Sequence, residues 1–173
     1  MIEYFYNTNI VSTITDRVAE KFDRYLWDSG PTSGQWQPKF FDQSLIQLDP
    51  FLSSFHSKLQ GRLNLFKFYP CTCYQWHVDG LNSFNFNLVF KEHKNSFVVF
   101  EKLTQDTSVV HKYSKEVVEL KYVPLTWHVF NAQIPHTIFN LDNEIRYLLT
   151  YMVRKTSSIS YEDFISSYNW QAH

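Results

Sequence analysis

A histidine, an aspartate, a second histidine and an arginine occur in this chain at spacings that suit a metal and an anion. Trp76-His77-Val78-Asp79-Gly80 sets an imidazole and a carboxylate two positions apart, Pro135-His136 adds a second imidazole, and Arg146 follows ten residues later. Two imidazoles and one carboxylate cap one face of an iron ion and leave the opposite positions open for chemistry. Taken singly, each piece is ordinary: His-x-Asp is common, and most of the seven histidines are expected to be solvated or hydrogen-bonded side chains. The conjunction of His77, Asp79, His136 and Arg146, in that order, singles them out.

The positioning elements follow from period-two alternation. If residues 74–79 are extended, Gln75, His77 and Asp79 point to one face; so do His136 and Ile138, and likewise Arg146, Leu148, Thr150 and Met152. Asn140-Leu141-Asp142-Asn143-Glu144 is polar turn chemistry, which predicts a hairpin setting the strands of His136 and Arg146 side by side. Arg146 then reaches the interior near the metal. A cation inside an aromatic barrel is costly unless it meets an anion, and a dicarboxylate that also chelates iron is such an anion. Spacing alone leaves His128 open as an alternative ligand. His56, His93, His111 and His173 are given no role.

The 173 residues carry 16 basic and 17 acidic side chains, so nothing in the charge suggests a nucleic acid or an anionic membrane as partner. Cys71 and Cys73 stand too close for a favourable disulfide, no other cysteine offers a partner, and free thiols fit a reducing compartment. No run of about 18 apolar residues is present, and the first residues lack a signal-peptide pattern. A soluble, cytoplasmic protein with no membrane segment is expected.

One domain is expected, with 1–61 as helical support, 62–154 as a β core and 155–173 as a tail with a short helix. Thr13 or Thr15 caps a helix to about Trp27. Asp49-Pro50 opens a second helix, with Phe51, Leu52, Phe55 and Leu59 on one face and Gly61 at its end. Ser29–Gly34 is a loop or flap. Strands are predicted at 2–6, from Leu63, over Tyr74–Asp79, 84–90, 96–103, 109–110, 117–122, 127–131, 136–140 and 145–154, and Ser160 caps a last helix over 161–168. Residues 84–90 alternate most sharply, with Phe84, Phe86, Leu88 and Phe90 on one face and Asn85, Asn87 and Val89 on the other. Trp76 and Trp127 are expected in the core. Such a series of strands after two helices predicts a mainly β fold, a barrel or sandwich backed by helices.

Tyr69-Pro70…Tyr74-x-x-His77-x-Asp79, then Trp127-x-x-Phe130-x-x-x-x-Pro135-His136…Arg146, resembles the iron(II)/2-oxoglutarate-dependent oxygenases, and within them the prolyl-hydroxylase-like branch, over roughly residues 62 to 154. The resemblance implies a double-stranded β-helix (jelly-roll) core preceded by two N-terminal helices. It implies that His77, Asp79 and His136 bind Fe(II) and serve catalysis, and that Arg146 pairs with the far carboxylate of 2-oxoglutarate; Tyr69, Asn85 and Asn87 are candidates to hydrogen-bond 2-oxoglutarate or substrate. The implied reaction consumes O2 and 2-oxoglutarate, releases succinate and CO2, and hydroxylates a C–H bond of a peptidyl or free amino acid or other small metabolite. Asp79 points to hydroxylation, since halogenating relatives usually lack that carboxylate. The family usually has a glycine between the tyrosine and His-x-Asp, where this chain has Cys71 and Thr72.

Two other readings stand beside this one. A cupin-type metalloenzyme that does not use 2-oxoglutarate matches His136-Thr137-Ile138-Phe139-Asn140 faintly but lacks the His-x-His of the first cupin motif. A non-catalytic jelly-roll binding module leaves Asp79 and Arg146 incidental.

Overall fold

The alternation at residues 84–90 becomes the wall between two interiors. A computed structural model describes residues 4–22, 36–59, 61–102, 116–155, 157 and 159–168. In chain order these form β1 (Phe5–Val11), α1 (Thr15–Phe22), β2 (Trp36–Phe40), a 3-10 helix (Gln43–Leu48), α2 (Pro50–Leu59), β3 (Arg62–Phe68), β4 (Thr72–Cys73), β5 (Asn82–Val89), β6 (Ser96–Glu101), β7 (Val117–Leu120), β8 (Thr126–Phe130), β9 (His136–Asn140), β10 (Arg146–Arg154) and α3 (Tyr161–Ser167). The predicted helix beyond Phe22, the Ser29–Gly34 loop, the 109–110 strand, His111 and His173 lie outside the described residues. Among the described residues no helix is long and apolar enough to cross a membrane.

The strands form a six-stranded sheet, in the order β1-β8-β5-β10-β3-β2, and a four-stranded sheet, β4-β9-β6-β7. Every pairing is antiparallel. This is the mainly β, two-sheet layout that a jelly roll requires. The large sheet draws β1 and β2 from the segment expected to be helical support. Residues 36–40 supply β2, which pairs with β3.

Both faces of the large sheet are covered. Phe84, Phe86, Leu88, Leu149, Tyr151 and Val153 face the helices, where Phe51 and Phe55 of α2 and Phe164 of α3 complete one aromatic cluster. Phe55 stacks on Phe86 at 4.7 Å and meets Phe164 edge-on at 5.6 Å. Each such ring contributes about 1.5–3 kcal/mol by leaving water. Trp127 is fully buried, and its Nε1 donates to Asp49 at 3.2 Å. Asp49 also accepts from Ser12 Oγ (2.6 Å) and, as the cap of α2, from the Leu52 amide (3.1 Å). Gly61 meets a different need from helix termination: a methyl group there would collide with the Tyr151 ring. Trp76, by contrast, is 47% exposed and belongs to no core.

Two expectations about the strands that carry the site are corrected as well. Residues 74–79 are not a regular strand. After the β4–β9 pairs Thr72↔Asn140 and Cys73↔Phe139, Tyr74 N donates to Ile138 O (2.8 Å), and the next contact is an isolated bridge between His77 and His136. Three residues on one side thus span two on the other, as at a β-bulge, and the extra residue resets the alternation. Tyr74 and His77 line the interior, while Gln75 is exposed.

The second correction concerns the hairpin. His136 heads β9 in the small sheet, whereas Arg146 heads β10 in the large one, so residues 141–145 cross between sheets instead of pairing two neighbours. The Asn140 side chain directs the crossing: its Nδ2 lies 3.1, 3.0 and 3.0 Å from the carbonyls of Phe68, Tyr69 and Glu144. The chain is thereby drawn onto the end of β3.

Candidate metal centre

His77 and His136 hold each other through their backbones. His77 N donates to His136 O (3.0 Å), His136 N returns a bond to His77 O (2.9 Å), and the rings stand 4.2 Å apart. Asp79 N donates to Ala132 O at 3.0 Å, which fixes the third residue against the same stretch. As a result one ligand atom from each of His77, Asp79 and His136 lies within 4.8 Å of the others.

The ring orientations are set from behind. Nδ1 of His77 lies 2.8 Å from Gln75 O, and Nδ1 of His136 lies 2.8 Å from Ile134 O. A carbonyl can only accept, so each Nδ1 carries a proton and Nε2 is the nitrogen turned toward the other ligands. Burial, together with neighbouring His77, pushes His136 down to about 4, so it is neutral near pH 7. Asp79 is oriented by Asn85 Nδ2 (2.9 Å) and Asn82 Nδ2 (3.3 Å), both on Oδ2, while Oδ1 faces His77 Nε2 at 3.5 Å. Burial raises the Asp79 carboxyl, but His77, His136, Asn85 and Asn82 together outweigh it and hold the group below its ordinary range. Two imidazole nitrogens and an ionised oxygen, each side chain held by a second partner, form a donor set suited to iron(II).

The three residues open on a cavity of about 180 Å³ between the sheets. Its wall is largely apolar, with Tyr74, Phe130, Leu148 and Met152, and carries the polar side chains Asn85, Asn87 and Thr150. These lie in adjoining register, Thr150 opposite Asn87 and Met152 opposite Asn85. Asn87 is therefore on the wall. Tyr69 is not: its ring lies under Lys67 Nζ at 5.0 Å, and its carbonyl accepts from Thr72 and Asn140. Next to it Cys71 adopts φ 54°, a left-handed conformation that glycine adopts freely, in the stretch where the family resemblance leads one to expect glycine.

Arg146 is buried to 1% exposure and lies against Phe68 of the cavity wall without lining the cavity itself. Nη1 donates to Ser96 Oγ (2.8 Å), which is itself fixed by donating to Phe139 O (2.8 Å). The guanidinium lies 5.1 Å from the Tyr122 ring and 5.8 Å from the Phe68 ring. Nε and Nη2 have no partner among the described residues. Burial drives the Arg146 pKa down, against the pull of Tyr122 and Asp142.

Tyr122 accepts from Asn87 Nδ2 at 2.9 Å, linking the cavity wall to the arginine, and burial pushes its phenol up to about 12. Sequence reasoning overlooked Tyr122 and Ser96. The alternation Val118-Leu120-Tyr122, whose members pack into one interior cluster, is the signal that could have found the tyrosine. His128 is excluded as a ligand: Nδ1 lies 3.0 Å from Thr126 O, and Nε2 accepts from Val123 N at 3.3 Å, so both nitrogens are occupied.

No family model and no curated protein matches this sequence. Among solved structures, a Pseudomonas putida prolyl-4-hydroxylase aligns at TM-score 0.59 and 13% identity, covering 87% of this chain and 91% of that one. EvdO2 from Micromonospora carbonacea var. aurantiaca aligns at 0.57 and 13%, covering 81% of each chain. An oxidoreductase of the 2OG-Fe(II) oxygenase family from Burkholderia pseudomallei aligns at 0.56 and 11%, covering 83% and 78%. An oxalate oxidase in complex with glycolate aligns only at 0.48, and this chain spans 59% of that one. At such identities the likeness is one of fold.

Proposed function

We propose that this chain is an iron(II)- and 2-oxoglutarate-dependent dioxygenase that hydroxylates a C–H bond of an amino acid, peptidyl or free, or of another small metabolite. The observation that carries this reading is Arg146: a fully buried guanidinium whose Nε and Nη2 lack partners among the described residues, beside Phe68 of the cavity that His77, Asp79 and His136 also line. An unpaired buried cation costs several kcal/mol, on the order of an uncompensated ion, so the interior is built to receive an anion there. The fold's likeness to a 2OG-Fe(II) oxygenase family protein supports the reading.

His77, Asp79 and His136 would hold the iron. Arg146, supported by Ser96 and stacked against Tyr122, would clamp the far carboxylate of 2-oxoglutarate. Bound there, iron and 2-oxoglutarate supply activation of O2 for C–H hydroxylation, with succinate and CO2 released. The protein's part is to fix the ring orientation of both imidazoles through the Gln75 and Ile134 carbonyls, which bind Nδ1–H and leave Nε2 toward the metal, and to keep Asp79 ionised and aimed through Asn82 and Asn85. Its aromatic wall excludes water.

The test is to load the protein with iron(II) and 2-oxoglutarate without oxygen, admit oxygen and measure succinate. Succinate that requires all three supports the proposal. Iron binding with no effect of 2-oxoglutarate points instead to a metalloenzyme that does not use it, and no iron binding points to a non-catalytic module.

A further inference from the structure

Asn85 has one end committed and the other open. Its Nδ2 donates to Asp79 Oδ2 at 2.9 Å, so a carboxylate fixes which way the amide points. Oδ1 must then lie on the opposite side. That oxygen is buried, has no partner among the described residues, and belongs to a side chain that is 5% exposed and lines the cavity. An amide oxygen is an acceptor only, and leaving it unpaired in an apolar cavity costs about 1–3 kcal/mol.

The co-substrate cannot fill this vacancy in the hydrogen bonding. Ionised 2-oxoglutarate offers carboxylate and keto oxygens alone, all acceptors, and succinate, O2 and CO2 bring no donor either. Nor do the neighbours on the wall: the side chains of Phe130 and Met152, the cross-strand partners of Asn85, have no donor to give, and the Thr150 hydroxyl makes no hydrogen bond to it. The donor must arrive from outside, at a position adjoining the carboxylate of the metal centre.

We infer that Asn85 Oδ1 selects the primary substrate, which carries an N–H or O–H donor beside the carbon that is oxidised, on an otherwise apolar body. This rests on the oxygenase reading for what happens to the substrate, but donor recognition itself does not require the metal. Asn85 is thus a specificity-determining residue that also positions Asp79.

The test uses acetamide and acetone, which are nearly isosteric and differ in the N–H donor, as probes on the metal-free full chain. The readout is the 13Cγ resonance of Asn85 in protein labelled at asparagine, assigned with Asn85→Ser. Acetamide is expected to move that resonance downfield and to half-saturate at about one-tenth the concentration acetone needs. In Asn85→Leu, followed through the 13Cγ resonance of Asn87 on the same wall, the preference disappears; should that variant not fold, the Asn85 resonance in the unmutated chain decides. Equal responses to both probes, or no response to acetamide, overturn the inference. No acetamide preference in the unmutated chain, while iron(II) and 2-oxoglutarate still give succinate there, removes this inference alone. A preserved preference without succinate supports the donor site and removes only the oxygenase reading.

Discussion

His77 and His136 exchange backbone hydrogen bonds at 3.0 and 2.9 Å across an isolated bridge between an irregular segment and the first residue of β9. The metal centre is therefore held by main chain, and its geometry does not depend on the metal to bring the two imidazoles together. A site prepared in this way should retain its fold when a ligand is removed and lose only the ion.

That separation can be measured. His136→Ala is expected to weaken iron(II) or manganese(II) binding by more than about 100-fold, above the usual effect of losing a residue that merely supports a ligand. Thermal unfolding of the metal-free protein should change little by comparison. Calorimetric titration of the metal beside a melting curve checks both halves.

Arg146 should show the opposite balance. Among the described residues its fully buried guanidinium has one hydrogen bond, to Ser96, and two nitrogens without partners. Replacing it with an apolar chain of similar length removes an uncompensated charge. Arg146→Met is expected to stabilise the ligand-free protein by about 1–3 kcal/mol in urea unfolding. A functional residue that lowers stability is expected where binding supplies the missing partner.

The readability of the chain divides along the same line between local and long-range causes. The alternation of β5, the Asp49-Pro50 opening of α2 and the Ser160 cap of α3 (Asp163 N to Ser160 Oγ, 3.0 Å) depend on neighbours in sequence, and all three were legible. The bulge at 74–77 was not, because one extra residue changes neither composition nor hydrophobicity. The path of residues 141–145 was not legible either. The same turn residues serve a hairpin or a crossing, and the choice rests on Asn140 reaching the carbonyls of Phe68 and Tyr69, distant in sequence. The strand Trp36–Phe40 was hidden by Pro38, which suits an edge strand but argues against a central one. Tyr69, chosen for its place in a motif, does not line the cavity, whereas Tyr122, which touches Arg146 and Asn87, is one of many aromatics in a chain that is 18% aromatic.

Acid should destabilise the protein through its buried histidines. His128 is held at about 4 by burial, below an ordinary value near 6.5. Between those values the unfolded chain binds the proton and the folded one does not, so stability falls as the pH drops through that window. Between pH 7 and 5 the wild type is expected to lose about 2 kcal/mol more than His128→Gln, in which that titration is absent. Urea unfolding at the two pH values supplies the comparison.

Asp49 joins three elements through one carboxylate, accepting from Ser12, Leu52 and Trp127. Asp49→Ala removes a helix cap and leaves the buried Trp127 Nε1–H unpaired. Its expected cost is about 3 kcal/mol. Loss of the sharp near-ultraviolet signal of Trp127 below the wild-type melting temperature would show the same loosening optically.

The central claim is that His77, Asp79, His136 and Arg146 form one site for iron and a dicarboxylate. Optical titration of the iron(II)-loaded protein with 2-oxoglutarate in the absence of oxygen tests it most directly, in the wild type and in Arg146→Met. A visible charge-transfer band should grow in the wild type, and the variant should need more than about tenfold more 2-oxoglutarate to reach the same intensity. Equal titration curves for the two proteins, or no band in the wild type, would contradict the account.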